Sequence, residues 1–216
     1  MIIVSLKSEA AGILAKSEIE FSDGSLLSFR NCYLPPELSD ADFNPNSAEG
    51  RAVSAEEENA LRFASACLSA EKAALRLIAR AEQCTAGLRR KLEKRKHESA
   101  CVNAVISRLC ELRLLDDSRY AKLWLESRLR FARSPRRLLS SLCARGIDRD
   151  DAEAALKTAL DEDAETSLLV RFVKKYARKQ ANSQTRGGED AARSLKFLLK
   201  SEGFSHAAIQ RFLDEE

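Results

Sequence analysis

The chain has 216 residues, 44 % of them hydrophobic and 32 % charged, a balance that excludes a disordered polymer and allows one elongated domain or two small ones with a real core. Eight glycines and four prolines exclude collagen and Pro/Gly low complexity. The formal charge of +3 is unevenly spread, with four basic against eight acidic residues up to Ser54 and 32 against 25 beyond it.

At the start, Ile2, Val4 and Leu6 alternate with Ile3, Ser5 and Lys7, the period of a strand. No basic segment followed by a long apolar one stands there, and no apolar run approaches the ~18–20 residues of a membrane span, so a cytoplasmic protein with no membrane partner is expected. Glu18 to Phe29 reads as two strands around the Asp23-Gly24 turn, which makes residues 1–54 a small antiparallel β hairpin unit with a linker. Pro35 to Gly50 reads as a connection, with a turn at Asn44-Pro45-Asn46 and room for a short helix near Pro36-Glu37-Leu38.

From Ala55 onward the chain is rich in Ala, Leu, Arg, Glu and Lys, and Pro135 is its single proline, the composition of helices joined by short turns. An internal repeat organises them. Leu88, Leu138 and Leu195 are each followed four residues later by Leu92, Leu142 and Leu199, and then by Lys96-His97, Gly146-Ile147 and Gly203-Phe204. Gly146 and Gly203 suit the left-handed residue beyond a helix, and Ile147 and Phe204 suit the apolar contact of a Schellman end. Past each turn comes one apolar helical face: Val102, Val105, Ile106; then Ala152, Ala155, Leu156; then Ile209, Phe212, Leu213.

Before each anchor a longer amphipathic helix is predicted, over Ala60 to Ala81, Ser118 to Ala132 and Ala164 to Gln180. The anchors lie 50 and 57 residues apart, and the extra seven fit the polar loop from Ala181 to Gly188. The expected fold is mostly α, with tandem three-helix repeats over 55–110, 111–162 and 163–216 forming an elongated curved array behind the hairpin.

Basic residues recur at matching repeat positions: Arg89, Arg90, Lys91, Lys94, Arg95 and Lys96; Arg128, Arg130, Arg133, Arg136 and Arg137; Arg171, Lys174, Lys175, Arg178, Lys179 and Arg186. One such run is a solvated face; three in register point to an anionic partner surface, with Arg128, Arg133, Arg136, Arg137, Lys174, Lys175 and Arg178 as the candidate contacts. The first run is weakened by Glu93.

Other polar groups read as structural. Asp116-Asp117 and Asp148, Asp150 and Asp151 suit helix N-caps and first turns. His97 and Cys101 have metal-ligand spacing on a helix, but the repeat puts His97 in a turn, where a packed histidine is expected. His206 opens the last helix and is assigned no chemistry. Tyr120, Trp124 and Phe131 suit core packing on the second long helix. Six cysteines without a C-x-x-C pair read as reduced, mostly packed thiols. No phosphate-cradle or nucleophile-elbow motif is present, and Gly187-Gly188 stands alone, so a non-enzyme without cofactor or metal is expected.

The segment Val105-Ile106-Ser107-Arg108-Leu109, leading into Leu114-Leu115-Asp116-Asp117-Ser118-Arg119-Tyr120-Ala121, then Arg128, then Arg136 to Ile147, resembles the RecX family of bacterial RecA modulators. The likeness covers the chain from about Ala55 on, and departs from the family pattern at Lys96-His97 and at Ser134-Pro135. It implies a non-enzymatic regulator, expected to be a monomer, that lies in the groove of the RecA nucleoprotein filament and hinders ATP hydrolysis and strand exchange, with weak nonspecific DNA contact at most. The competing reading is a sequence-nonspecific DNA- or RNA-binding helical protein that uses the same basic rows on phosphates.

Overall fold

The structure, a computed structural model, describes residues 2–8, 16–38, 50–181 and 189–214. The expected turn at Asn44-Pro45-Asn46, the loop after Ala181 with Arg186 and Gly187-Gly188, and the side chain of Lys179 lie outside the described residues. Two compact units form, one of Met1–Gln83 with Gly87–Leu115 and one of Cys84–Ala86 with Asp116–Glu216.

The first unit opens with an antiparallel meander in the order β1 (Ile3–Ser8), β2 (Ser17–Phe21), β3 (Leu26–Phe29). Gly24, at φ +80°, turns the chain between β2 and β3, and the Asp23 carboxylate accepts the Ser25 N–H at 2.9 Å. The simple alternation of β1 does not set its buried face. A bulge between Ile3 and Ser5 shifts the register, so that Ile3 and Leu6 are buried while Ile2 and Val4 face outward. Ile3, Ile19, Phe21 and Phe29 share one core with α1 (Ala55–Ile78) and α3 (Ser99–Glu111), and a 3-10 turn does form at Pro36–Leu38.

Helix α1 starts five residues before the position at which its apolar stripe becomes clear. Ser54 explains this: its hydroxyl accepts the Glu57 N–H at 3.2 Å, and the Glu57 carboxylate accepts the Ser54 N–H at 2.8 Å. This reciprocal box satisfies the free donors at the helix start, and Glu56, Glu57 and Glu58 complement its dipole. Inside the unit, Glu71 of α1 is buried and receives Arg30 at 2.7 Å and Arg108 at 3.7 Å. One buried carboxylate thereby meets cations from the segment after β3 and from α3, an arrangement that rests on all three charges being present.

The second unit contains α4 (Asp117–Leu129), α5 (Pro135–Cys143), α6 (Arg149–Ala159), α7 (Glu162–Ala181), α8 (Glu189–Ser201) and α9 (His206–Asp214). Helix α6 packs on α4 and α5, and α9 packs on α7 and α8. Its core joins Trp124, Leu125, Leu138, Leu142, Leu168, Leu169, Leu199 and Phe212. Pro135 occupies the first turn of α5, where its missing N–H costs nothing. Asp116 caps α4 by accepting the Arg119 N–H at 2.8 Å, Asp148 caps α6 through the Asp150 N–H at 2.9 Å, and Asp117 accepts the Thr85 N–H at 2.7 Å.

The three leucine-anchored ends share one geometry. After α2 (Thr85–Lys94) the His97 N–H reaches the Leu92 carbonyl at 3.3 Å; after α5 Ile147 reaches Leu142 at 3.3 Å; after α8 Phe204 reaches Leu199 at 3.2 Å. Lys96, Gly146 and Gly203 occupy the left-handed region at φ +67°, +91° and +88°. Leu88, Leu92, Leu138, Leu142 and Leu199 are fully buried, and Leu195 is half-buried against the same core as Leu199.

Candidate functional site

A groove opens in the second unit where the α4–α5 turn and α5 face α7 and the end of α8. It has a volume of about 690 Å³, and its wall carries Arg133, Arg136, Arg137 and Lys175. Helical spacing puts Arg136, Arg137 and Ser140 on one face of α5, Arg133 comes from the turn before it, and Lys175 arrives from α7.

The floor is apolar. Phe172 stacks on Tyr176 with ring centroids 6.5 Å apart and planes at 10°, and meets Phe204 at 5.4 Å; Leu198 adds an aliphatic surface. A single carboxylate, Glu202, lies in the lining. The buried hydroxyl of Ser134 donates to it, Arg137 Nε stands 3.9 Å from it, and the Glu202 carbonyl accepts the Arg136 N–H at 3.0 Å. Arg136 Nη1 also donates to the Ser201 carbonyl at 3.2 Å, and Lys175 Nζ to the Ala132 carbonyl at 3.4 Å. Four cations against one acid leave the groove strongly positive over an aromatic base, a surface chemically complementary to anionic and apolar groups side by side.

Of the seven residues predicted from sequence, Arg133, Arg136, Arg137 and Lys175 come together here. The other three do not line the groove. Arg128 is half-buried, with its guanidinium 5.6 Å from the Trp124 ring and 5.9 Å from Phe131, and its Nε is buried without a hydrogen-bond partner among the described residues. Lys174 and Arg178 are exposed on α7, outside the lining. Of the three aromatics expected in the core, Trp124 is buried and Tyr120 half-buried, but Phe131 is 49 % exposed because it lies past the end of α4, beside Arg128 and Arg130.

Sequence reasoning did not single out Ser134, Glu202, Phe172 or Tyr176 as groove residues. Phe172 and Tyr176 show only as members of an apolar helical stripe. Glu202 carries one faint signal, its place directly before the turn glycine Gly203. Of the six cysteines expected to be packed for the most part, Cys67, Cys84 and Cys101 are buried while Cys32, Cys110 and Cys143 are exposed, and burial pushes the Cys67 and Cys101 thiols up. Among the described residues no cluster of three His, Cys, Asp or Glu is placed to hold a metal, and no helix is long and apolar enough to cross a membrane.

Leucine-anchored turns that recur after α2, α5 and α8, with a three-stranded sheet ahead of them, define the class: an all-α helical-repeat protein with a small β extension. The family description "RecX, second three-helix domain" matches residues 116–156, which hold α4, α5 and most of α6. The regulatory protein RecX of Treponema pallidum is 34 % identical over 162 residues, covering 74 % of this chain and 93 % of its own. That of Halorhodospira halophila is 32 % identical over 128 residues, covering 59 % and 76 %. The chain therefore belongs to the RecX family of regulatory proteins.

Solved structures agree on the fold. A crystal structure of regulatory protein RecX superposes with a TM-score of 0.71 at 17 % identity, covering all of both chains. RecX from Lactobacillus salivarius gives 0.57 at 20 % identity, covering 69 % of this chain and 96 % of its own.

Proposed function

We propose that this chain is a cytoplasmic, non-enzymatic modulator of the RecA recombinase, which docks on the RecA nucleoprotein filament and slows ATP hydrolysis and strand exchange. The observation that carries the reading is the groove of Arg133, Arg136, Arg137 and Lys175 over Phe172 and Tyr176, in a family whose members are named as regulatory proteins. Guanidinium groups bind carboxylates through paired hydrogen bonds, and the aromatic floor supplies the desolvated centre that a protein interface needs. Lys174 and Arg178 add charge on the exposed side of α7 and steer the approach of an anionic surface, while Arg128 is a positioning residue that holds Trp124 and Phe131. The three-helix modules 55–110, 111–162 and 163–216 behind a 1–54 extension belong to the same proposal; the three matching turns support it, as does the family's description of a second three-helix domain.

The test adds the purified protein to preformed RecA filaments on single-stranded DNA and follows ATP hydrolysis together with filament length. Inhibition by the unaltered protein is expected. Arg133→Glu with Arg137→Glu should raise the concentration for half-inhibition by about tenfold or more, equivalent to ~1.4 kcal/mol, with the helical circular-dichroism signal intact. Unchanged inhibition by the double variant rejects the groove. No inhibition at saturating unaltered protein, with salt-sensitive binding to bare strands alone, favours a nonspecific nucleic-acid binder instead.

A further inference from the structure

A second cationic cavity lies in the first unit, apart from the groove just described. It measures about 490 Å³ and is walled by α1 on one side and by the turn between α2 and α3 on the other. Lys72 and Arg76 stand one turn apart on α1, and Arg80 follows a turn later just past the helix end; Arg95 and His97 face them from the turn. Five basic side chains thus converge, the lining holds no acidic residue, and among the described residues none of the five is paired with a carboxylate.

The repeat sharpens the point. At the position of His97 the other two turns carry Ile147 and Phe204, which are 3 % and 4 % exposed and close the core beneath them. His97 makes the same backbone hydrogen bond to Leu92 yet is only half-buried and lines the cavity. The attraction of cations to a helix C-terminus accounts for Arg76 and Arg80. It accounts neither for Lys72, well inside α1, nor for Arg95 and His97, which come from another element.

We infer that this cavity is a binding site for linked phosphates, as carried by a nucleoside triphosphate or by the backbone of a nucleic-acid strand. Cations spaced about 6 Å apart along the end of α1 match several charges in a row better than one isolated anion, since four residues of helix rise by ~6 Å. Arginine forks suit phosphate oxygens. The lining offers no Phe, Tyr or Trp, and its one ring is the half-buried His97 imidazole, so recognition rests chiefly on phosphates. The site does not depend on the function proposed for the groove of the second unit.

The test measures binding of three probes to the full chain over a salt series: inorganic tripolyphosphate, ATP and a fluorescent oligo-dT strand. The variants are Arg76→Gln with Arg80→Gln, His97→Ile, and a control, Lys122→Gln with Lys157→Gln, which removes two exposed cations of the second unit. For the strand, the slope of log affinity against log salt should fall by about 1.4 in the arginine pair, at ~0.7 per neutralised phosphate. For tripolyphosphate and ATP, the arginine pair should lose about tenfold in affinity and His97→Ile a few-fold, with the arginine pair melting only a few degrees lower, the loss of two exposed charges at the end of α1. Loss confined to the strand identifies a backbone site, and loss confined to the free triphosphates a nucleotide site; both support the inference. No binding of any probe, or an equal loss in the control, overturns it.

Discussion

The turns after α2 and after α5 make the same two backbone hydrogen bonds with different residues. Lys96 donates to Glu93 at 2.9 Å and His97 to Leu92 at 3.3 Å; Gly146 donates to Cys143 at 2.8 Å and Ile147 to Leu142 at 3.3 Å. Lys96 holds φ +67° where Gly146 holds +91°. The leucine anchor and the hydrogen-bond pattern therefore set the geometry, and glycine is required only where space demands it. At Gly146 a Cβ would stand 2.3 Å from the Ala86 Cβ, a contact that cannot exist without displacement, whereas the exposed Lys96 carries its side chain into solvent. Departure from the repeat at Lys96-His97 leaves the fold intact and frees that turn to present charge.

This contrast can be broken most sharply at Gly146. Gly146→Val should destabilise the protein by about 3 kcal/mol or more, the left-handed penalty adding to overpacking against Ala86. Urea unfolding reads it directly, and a normal midpoint would show that the turn tolerates a side chain after all. Gly203→Ala tests the intermediate case. Its Cβ would lie 3.3 Å from the Arg136 backbone N, so a loss of about 1–2 kcal/mol is expected, chiefly from backbone strain. The smallest effect belongs to Lys96→Gly. Relief of the left-handed strain, offset in part by the freer unfolded chain, should raise stability by about 0.5–1 kcal/mol. A thermal melt that moved downward for Lys96→Gly would mean that the lysine side chain holds the turn in place.

The helices were legible because burial imposes a period that no local accident reproduces. Leu88-Leu92, Leu138-Leu142 and Val102-Val105-Ile106 show their buried faces as bare spacing, and all seven are buried. The strand β1 was less legible. Its alternation is real, but the bulge at Ile3 to Ser5 exchanges the inner and outer sets, and one extra residue leaves no mark in composition. The basic rows were visible as rows, yet their members divide: Arg133, Arg136, Arg137 and Lys175 share a groove, Lys174 and Arg178 stand outside it, and Arg128 lies against Trp124 and Phe131. Charge along one helix reveals which residues face water. It does not reveal which other helix will stand opposite.

By itself the amino-acid order determined the succession of helices, their caps and the leucine-anchored turns. These are set by contacts within a few residues, namely side chain to backbone at Ser54, Asp116 and Asp148 and the return of each turn residue to the leucine five before it. Tertiary structure alone decided that Ser134 and Glu202, 68 positions apart, would meet beneath the arginines, that Phe172 and Tyr176 would floor a groove, and that His97 would face Arg76 across a cavity. Such neighbours are brought together by the packing of whole apolar faces, and that packing constrains the polar residues at its edges without encoding them in any local pattern.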